Sequence, residues 1–167
     1  DLSRYKLVLL PNLFVVDDTK KKVLAEKVCT GGKTVVWVYA PGVITNGTYD
    51  TANVEKLTGI AMETPELTTK PMNRRTSVFA PKPNLPGDVL RGLAKNAGVH
   101  IYSDAGEPLY ANERLLAFHT AKGGSRSFAL PRSYARIREL FSGRVVAENT
   151  ATFTDELAGP STVLYSL

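Results

Sequence analysis

Two short runs constrain this chain more than anything else in it. Residues 6–10 read KLVLL and residues 35–40 read VVWVYA, closed by Pro11 and Pro41. Each has the length of a strand and is apolar at nearly every position, not at every second one. Strands patterned this way are buried on both faces, as in a parallel sheet covered by helices. The segment between them fits that reading. Asp17 or Asp18 is placed to cap a helix whose inner face is Val23, Leu24 and Val28. Gly31 and Gly32 supply a left-handed stop. A strand–helix–strand unit of this length takes the right-handed crossover. The expected class is α/β, with a mainly parallel sheet.

Further along, Asn46-Gly47 marks a turn, and residues 49–58 predict a short helix with Val54 and Leu57 inward, ended by Gly59. Residues 64–86 carry Pro65, Pro71, Pro81, Pro83 and Pro86. Only 77–80 reads as a strand there, so this stretch is expected to be a long irregular connection or an insertion. Residues 85–98 predict a helix, with Pro86 in its first turn and Val89, Leu90, Leu93, Ala94 and Ala97 on one face. Residues 99–103 (VHIYS) follow as a strand expected to join the first sheet. After Asp104 no helical pattern remains. Residues 108–112, 115–120, 126–130, 136–141, 144–147, 152–157 and 162–167 read as short strands, with 122–125 (KGGS) as a hairpin turn between the second and third. Short strands at this spacing predict an antiparallel sheet or small sandwich. The division expected is an α/β domain over 1–103 and an antiparallel, sandwich-like β domain over 104–167.

Candidate chemistry is sparse. The net charge is +5, but the only three-residue basic run, Lys20, Lys21 and Lys22, sits beside Asp17 and Asp18 as a solvated face. No aromatic residues alternate with the basic ones, so no nucleic-acid partner is expected. No apolar run approaches the ~20 residues of a membrane helix, and no membrane partner is expected. Hydrophobic residues make up 43%, enough for a packed core. The chain opens at Asp1 and enters its first strand at once, which reads as an excised piece of a longer protein. Nothing assigns a compartment.

Cys29 is the only cysteine, which excludes an internal disulfide and a cysteine-rich zinc site. No nucleophile elbow surrounds it, so it reads as a buried structural thiol. His100 and His119 lie in expected strands without metal-ligand spacing. The loop after the first strand, Pro11-Asn12-Leu13-Phe14, is not glycine-rich, and no nucleotide-binding loop occurs elsewhere, so no cofactor is expected. Glycoside hydrolysis needs two carboxylates roughly 5–10 Å apart. Asp17, Asp18, Glu63, Glu107, Glu113 and Glu156 all fall near turns or element ends, and nothing pairs any two across a cleft. Trp37, mid-strand, reads as core. No catalytic, cofactor-binding or metal residue is assigned.

The strings DLSRYKLVLLPNLFVVDD, GGKTVVWVYAPGVI and the helix ending KLTGI resemble the middle domain of β-galactosidases of glycoside hydrolase family 42 and their bacterial relatives. The stretch from Ile137 to Gly143, then Phe153 and residues 162–167, resembles the C-terminal β domains of carbohydrate enzymes. The resemblance is moderate over 1–60 and loose beyond, and residues 64–86 have no counterpart in it. It implies a partial flavodoxin-like (class I amidotransferase-like) sheet followed by a small antiparallel β unit. In that family the middle domain often mediates trimer contacts, and catalysis belongs to an upstream (β/α)₈ barrel carrying two glutamates. The expectation is therefore a non-catalytic accessory or scaffold region of a multidomain glycoside hydrolase. Its expected partners are the upstream barrel and further copies of itself. A small-molecule-binding or amidotransferase-like unit is the alternative, and would need polar groups converging between 12–16 and 41–44. A carbohydrate-binding module would need exposed aromatics on the β tail, such as Tyr102, Tyr110 or Tyr134.

Overall fold

The structure is a computed structural model describing all 167 residues. The chain divides into two compact units, Asp1–Val99 and His100–Leu167.

The first unit is built on β2 (Lys33–Val38). It pairs in parallel with β1 (Leu7–Leu10) on one side and with β6 (Arg75–Ala80) on the other. Val35 and Trp37 face one way, into a core with Phe79, Val54 and the helical residues Leu24 and Val28. Val36 and Val38 face the other way, with Val78 and Leu93. Helix α1 (Asp18–Val23), with its wider continuation Leu24–Val28, and α2 (Thr51–Thr58) serve the first core. The amphipathic α3 (Gly87–Asn96) serves the second. Asp17 caps α1, its carboxylate accepting from the Lys20 amide at 2.8 Å. The indole N–H of Trp37 donates to Ser77 Oγ at 2.9 Å, so its full burial leaves no orphaned donor. Asn46 and Gly47, at φ 49° and 78°, turn the small hairpin of β3 (Ile44–Thr45) and β4 (Thr48–Tyr49).

The expected flavodoxin-like, mainly parallel sheet does not form. Strand outweighs helix, 42% to 17%, and the sheets are mixed and antiparallel. In the first unit the order is β1-β2-β6-β5, with β5 (Thr68–Met72) antiparallel to β6. That strand lies inside the stretch expected to be irregular. Pro71 suits it, because β5 is an edge strand and one face of its ladder needs no donor. Residues 99–103 form no strand. Tyr102 O instead accepts from the Ala129 amide at 2.8 Å.

The second unit is a five-stranded antiparallel sheet ordered β10-β9-β11-β8-β7. Its strands are β7 (Leu109–Ala111), β8 (Leu115–Thr120), β9 (Gly124–Glu139), β10 (Val145–Leu157) and β11 (Ser161–Ser166). Two pairs of expected short strands are each one long strand, β9 and β10. The expected hairpin at 122–125 is also absent, since β11 lies between β8 and β9. Those residues form a turn packed against a second turn at 158–160. A Cβ on Gly123 would fall 2.6 Å from the Gly159 amide nitrogen, so this approach requires glycine. Along the β9–β10 ladder, Thr150 lies opposite Tyr134 but Thr152 lies opposite Ala129. Residues 130–133 are thus pushed out of register as a wide bulge around Pro131.

Phe128 centres the core of this unit. It meets Phe118 edge-on at 5.1 Å, stacks on Phe153 at 4.8 Å and tilts against Tyr165 at 5.7 Å. Phe128→Ala is expected to destabilise this unit by about 3–5 kcal/mol. The exposed Phe141→Ala should change stability by no more than about 0.5 kcal/mol. Urea unfolding followed by tyrosine and tryptophan fluorescence measures both, and equal effects would refute the assignment of Phe128 as the keystone.

Candidate functional site

In an open sheet with parallel strands, ligands collect outside the carboxyl ends of those strands. In the first unit these ends are the segments after β1, β2 and β6; the last lines a small hollow of about 180 Å³ with Leu67, Leu85 and Val89, and the first two hold the expected site. Tyr39 follows β2 at φ 65°, a left-handed conformation unusual for a bulky residue, with Phe14 edge-on at 6.0 Å. The neighbouring polar groups do not converge on open space. The Gly42 amide donates to Leu13 O at 2.7 Å, the Ile44 amide to Phe14 O at 2.9 Å and the Val16 amide to Ile44 O at 2.9 Å. Asn53 Nδ2 donates to Gly42 O at 2.5 Å. A side chain at Gly42 would strike Leu57 and Asn53. The two segments are zipped to each other and to α2, which withholds the feature a small-molecule site here would need.

The residues singled out from the sequence are dispersed. Cys29 is buried, and burial pushes its thiol pKa up against the opposing influence of Arg75. His100 Nε2 lies 2.8 Å from Ala129 O, and His119 Nδ1 lies 2.9 Å from Thr162 Oγ1. No three His, Cys, Asp or Glu side chains gather as a metal site. Asp17 is a helix cap, and Asp18 pairs with Lys21 at 3.1 Å.

Three acids, Glu107, Glu139 and Asp155, serve structure in the second unit. Glu107 accepts from Thr120 Oγ1 at 2.7 Å and from Arg126 Nε at 2.6 Å, with Arg126 Nη2 at 3.3 Å completing a fork. The Arg126 and Thr120 hydrogen bonds hold its pKa down to about 2. The buried Asp155 accepts two contacts from Arg144 Nη2, at 2.8 and 2.9 Å, and the Tyr165 hydroxyl at 2.9 Å. Burial, then the bond to Asp155, drives the Tyr165 phenol far above its ordinary pKa. Burial pushes Glu139 up, but its bonds from Ser142 and the Phe141 and Ser142 amides outweigh that and the net shift is down.

Beside the bulge in β9, polar and aromatic side chains gather at the surface. Tyr102, Asn112, Glu113, Pro131, Arg132 and Tyr134 line an open groove of about 330 Å³. Asn112 Oδ1 accepts from the Arg114 and Leu115 amides, both at 2.9 Å, fixing the β7–β8 turn. The Arg132 guanidinium lies over the Tyr134 ring, 5.0 Å from its centroid. Tyr134 Oη reaches Glu113 O at 3.4 Å, and His100 meets the Tyr102 ring edge-on at 4.6 Å. Tyr102 is shared with a second, larger hollow of about 570 Å³, whose lining includes Ser103, Ser127, Thr152 and Thr154. Tyr110, exposed on β7, lines neither. The sequence pointed to Tyr102 and Tyr134 as aromatics and to Glu113 as a carboxylate near a turn, but not to Asn112 and Arg132, nor to the gathering of these residues. Their gathering depends on the bulge, for which Pro131 inside an otherwise strand-like run is the only local signal.

No family model and no curated protein matches the chain. Among solved structures it is similar to a β-galactosidase from Bacillus circulans sp. alkalophilus, with 14% identity and a TM-score of 0.65. The match covers 99% of this chain and 33% of that one, so the chain spans about a third of its neighbour's length. At that identity the likeness is one of fold: the chain has a glycosidase-like fold.

The Glu107 fork has a pH signature. A depressed carboxyl contributes stability above its unfolded pKa of roughly 4.3, and that contribution is lost as pH falls through about 2. Glu107→Gln should lower stability at neutral pH, and the gap to the wild type should close between about pH 4 and pH 2. Urea titrations across that window test this, and a gap unchanged at pH 2 would contradict it.

Proposed function

We propose that this chain is a non-catalytic accessory region of a multidomain bacterial glycoside hydrolase of the β-galactosidase kind, related to family 42. It acts as a scaffold that packs against a catalytic barrel. The observation that carries the reading is the fold likeness of nearly the whole chain to about a third of a β-galactosidase. The sequence resemblance at 1–60 points the same way. The carboxylates support it too: Asp17, Asp18, Glu107, Glu139 and Asp155 are engaged in a cap, ion pairs and turns. Hydrolysis would need an acid and a nucleophile with pKa values pushed apart.

Purified chain assayed against a panel of nitrophenyl glycosides should give no turnover above buffer. Activity that survives purification and is lost on substituting one carboxylate would overturn the reading.

Oligomerisation belongs to the same proposal. In its sheet β1 pairs only with β2, and Leu9 on it is 42% exposed. An unpaired strand edge invites a second chain. Light scattering should show self-association that rises with concentration, and Leu9→Lys should weaken it. A monomer at every concentration would remove this part of the proposal.

A further inference from the structure

We infer that the tyrosine-lined groove of the second unit binds a neutral oligosaccharide of the β-galactoside class. The choice of galactoside rests on the accessory reading above, and the rest of the argument rests on the groove itself. The hollow around Tyr134 and the larger one beside Ser127 and Thr154 both have Tyr102 in their linings, so two open hollows meet at one aromatic residue.

Its chemistry matches a sugar. A pyranose presents a face of C–H groups and a rim of hydroxyls. Tyrosine rings offer an apolar face for the first and a polar tip for the second. The Arg132 guanidinium lies over the Tyr134 ring, and its fork of N–H donors can bridge neighbouring hydroxyls. The Asn112 oxygen is committed to the β7–β8 turn, which fixes the orientation of its amide. Glu113 adds an acceptor at the same turn. Beyond Tyr102 the lining adds the hydroxyl residues Ser103, Ser127, Thr152 and Thr154.

Other ligand classes fit less well. The two hollows together are lined by one guanidinium, Arg132, and two carboxylates, Glu113 and Asp104. A nucleic-acid site needs a basic track along the backbone, and this groove has none.

The test is calorimetric titration of the full chain with β-1,4-galactotetraose, with cellotetraose as the comparison. Saturable binding of the galactan fragment is expected. Arg132→Ala and Tyr134→Ala should each weaken it about tenfold or more, as the loss of a stacked contact implies. Tyr110→Ala, outside the groove, should leave it unchanged. Arg132 is exposed, so its variant keeps the test decisive if Tyr134→Ala unfolds; melting temperatures check this. No saturable binding into the millimolar range overturns the inference. So does binding that Arg132→Ala leaves intact, and equal binding of cellotetraose overturns the galactoside assignment. Failure here without glycosidase turnover leaves the accessory reading standing, while turnover with binding intact overturns only that reading.

Discussion

Val35 and Val36 are adjacent in sequence and both are fully buried. In a strand, neighbouring side chains point to opposite faces, so β2 cannot exist with either face in water. This double burial organises the first unit. It requires apolar cover on both sides, which Leu24, Val28 and Val54 supply on one and Leu93 with Val89 on the other. It also requires backbone partners on both edges, which β1 and β6 supply in parallel. The zipped segments after β1 and β2 follow from the same demand. A strand ending deep in a core must bring its chain out with every backbone group paired, and residues 13–16 and 42–44 pair with each other.

The second unit works from a different constraint. Its long β9 cannot stay straight, because Pro131 has no donor to give the ladder. The strand makes its bulge there, and the halves on either side send Phe128 and Ile137 into one core. Charge then seals the far end. Asp155 is buried, yet Arg144 and Tyr165 satisfy it, and Glu139 is wrapped by two amides and a hydroxyl. A buried carboxylate left unpaired would be strongly destabilising.

What could be read from the sequence follows this division. Continuous apolar runs gave away β1 and β2, and amphipathic spacing gave away α3. A cap at Asp17 or Asp18, the turn at Asn46-Gly47 and the burial of Trp37 and Cys29 were also legible, because each depends on chemistry within a few residues; the structure chooses Asp17 as the cap. The strand β5 was not, since TTKPM has no apolar alternation and is held by pairing with β6 alone. Helix-then-strand alternation therefore suggested a parallel sheet where a mixed one forms. Residues 99–103 look like a strand in composition, but their partner is β9. The 122–125 turn looks like a hairpin, yet two glycines let a distant turn pack against it and β11 takes the place between β8 and β9. Sheet order is a long-range property, and short turn signals do not carry it.

The carboxylates are tuned by their neighbours. A general acid in glycoside chemistry needs its pKa raised, by an apolar pocket or by a second carboxylate nearby. The shifted carboxyls here move the other way. Lys21 lowers Asp18, Arg126 lowers Glu107, and amide and hydroxyl donors bring Glu139 down despite its burial. Each is surrounded by groups that favour the charged form, which is how a carboxylate is built to hold a turn or a strand end in place. In these three the surroundings favour fixed geometry over proton transfer. The groove beside Tyr134 differs in kind: Asn112, Glu113 and Arg132 stand on its exposed rim, where they add little to the core below. Asn112 still fixes the β7–β8 turn through its oxygen, while Glu113 and Arg132 remain at the surface beside two aromatic rings.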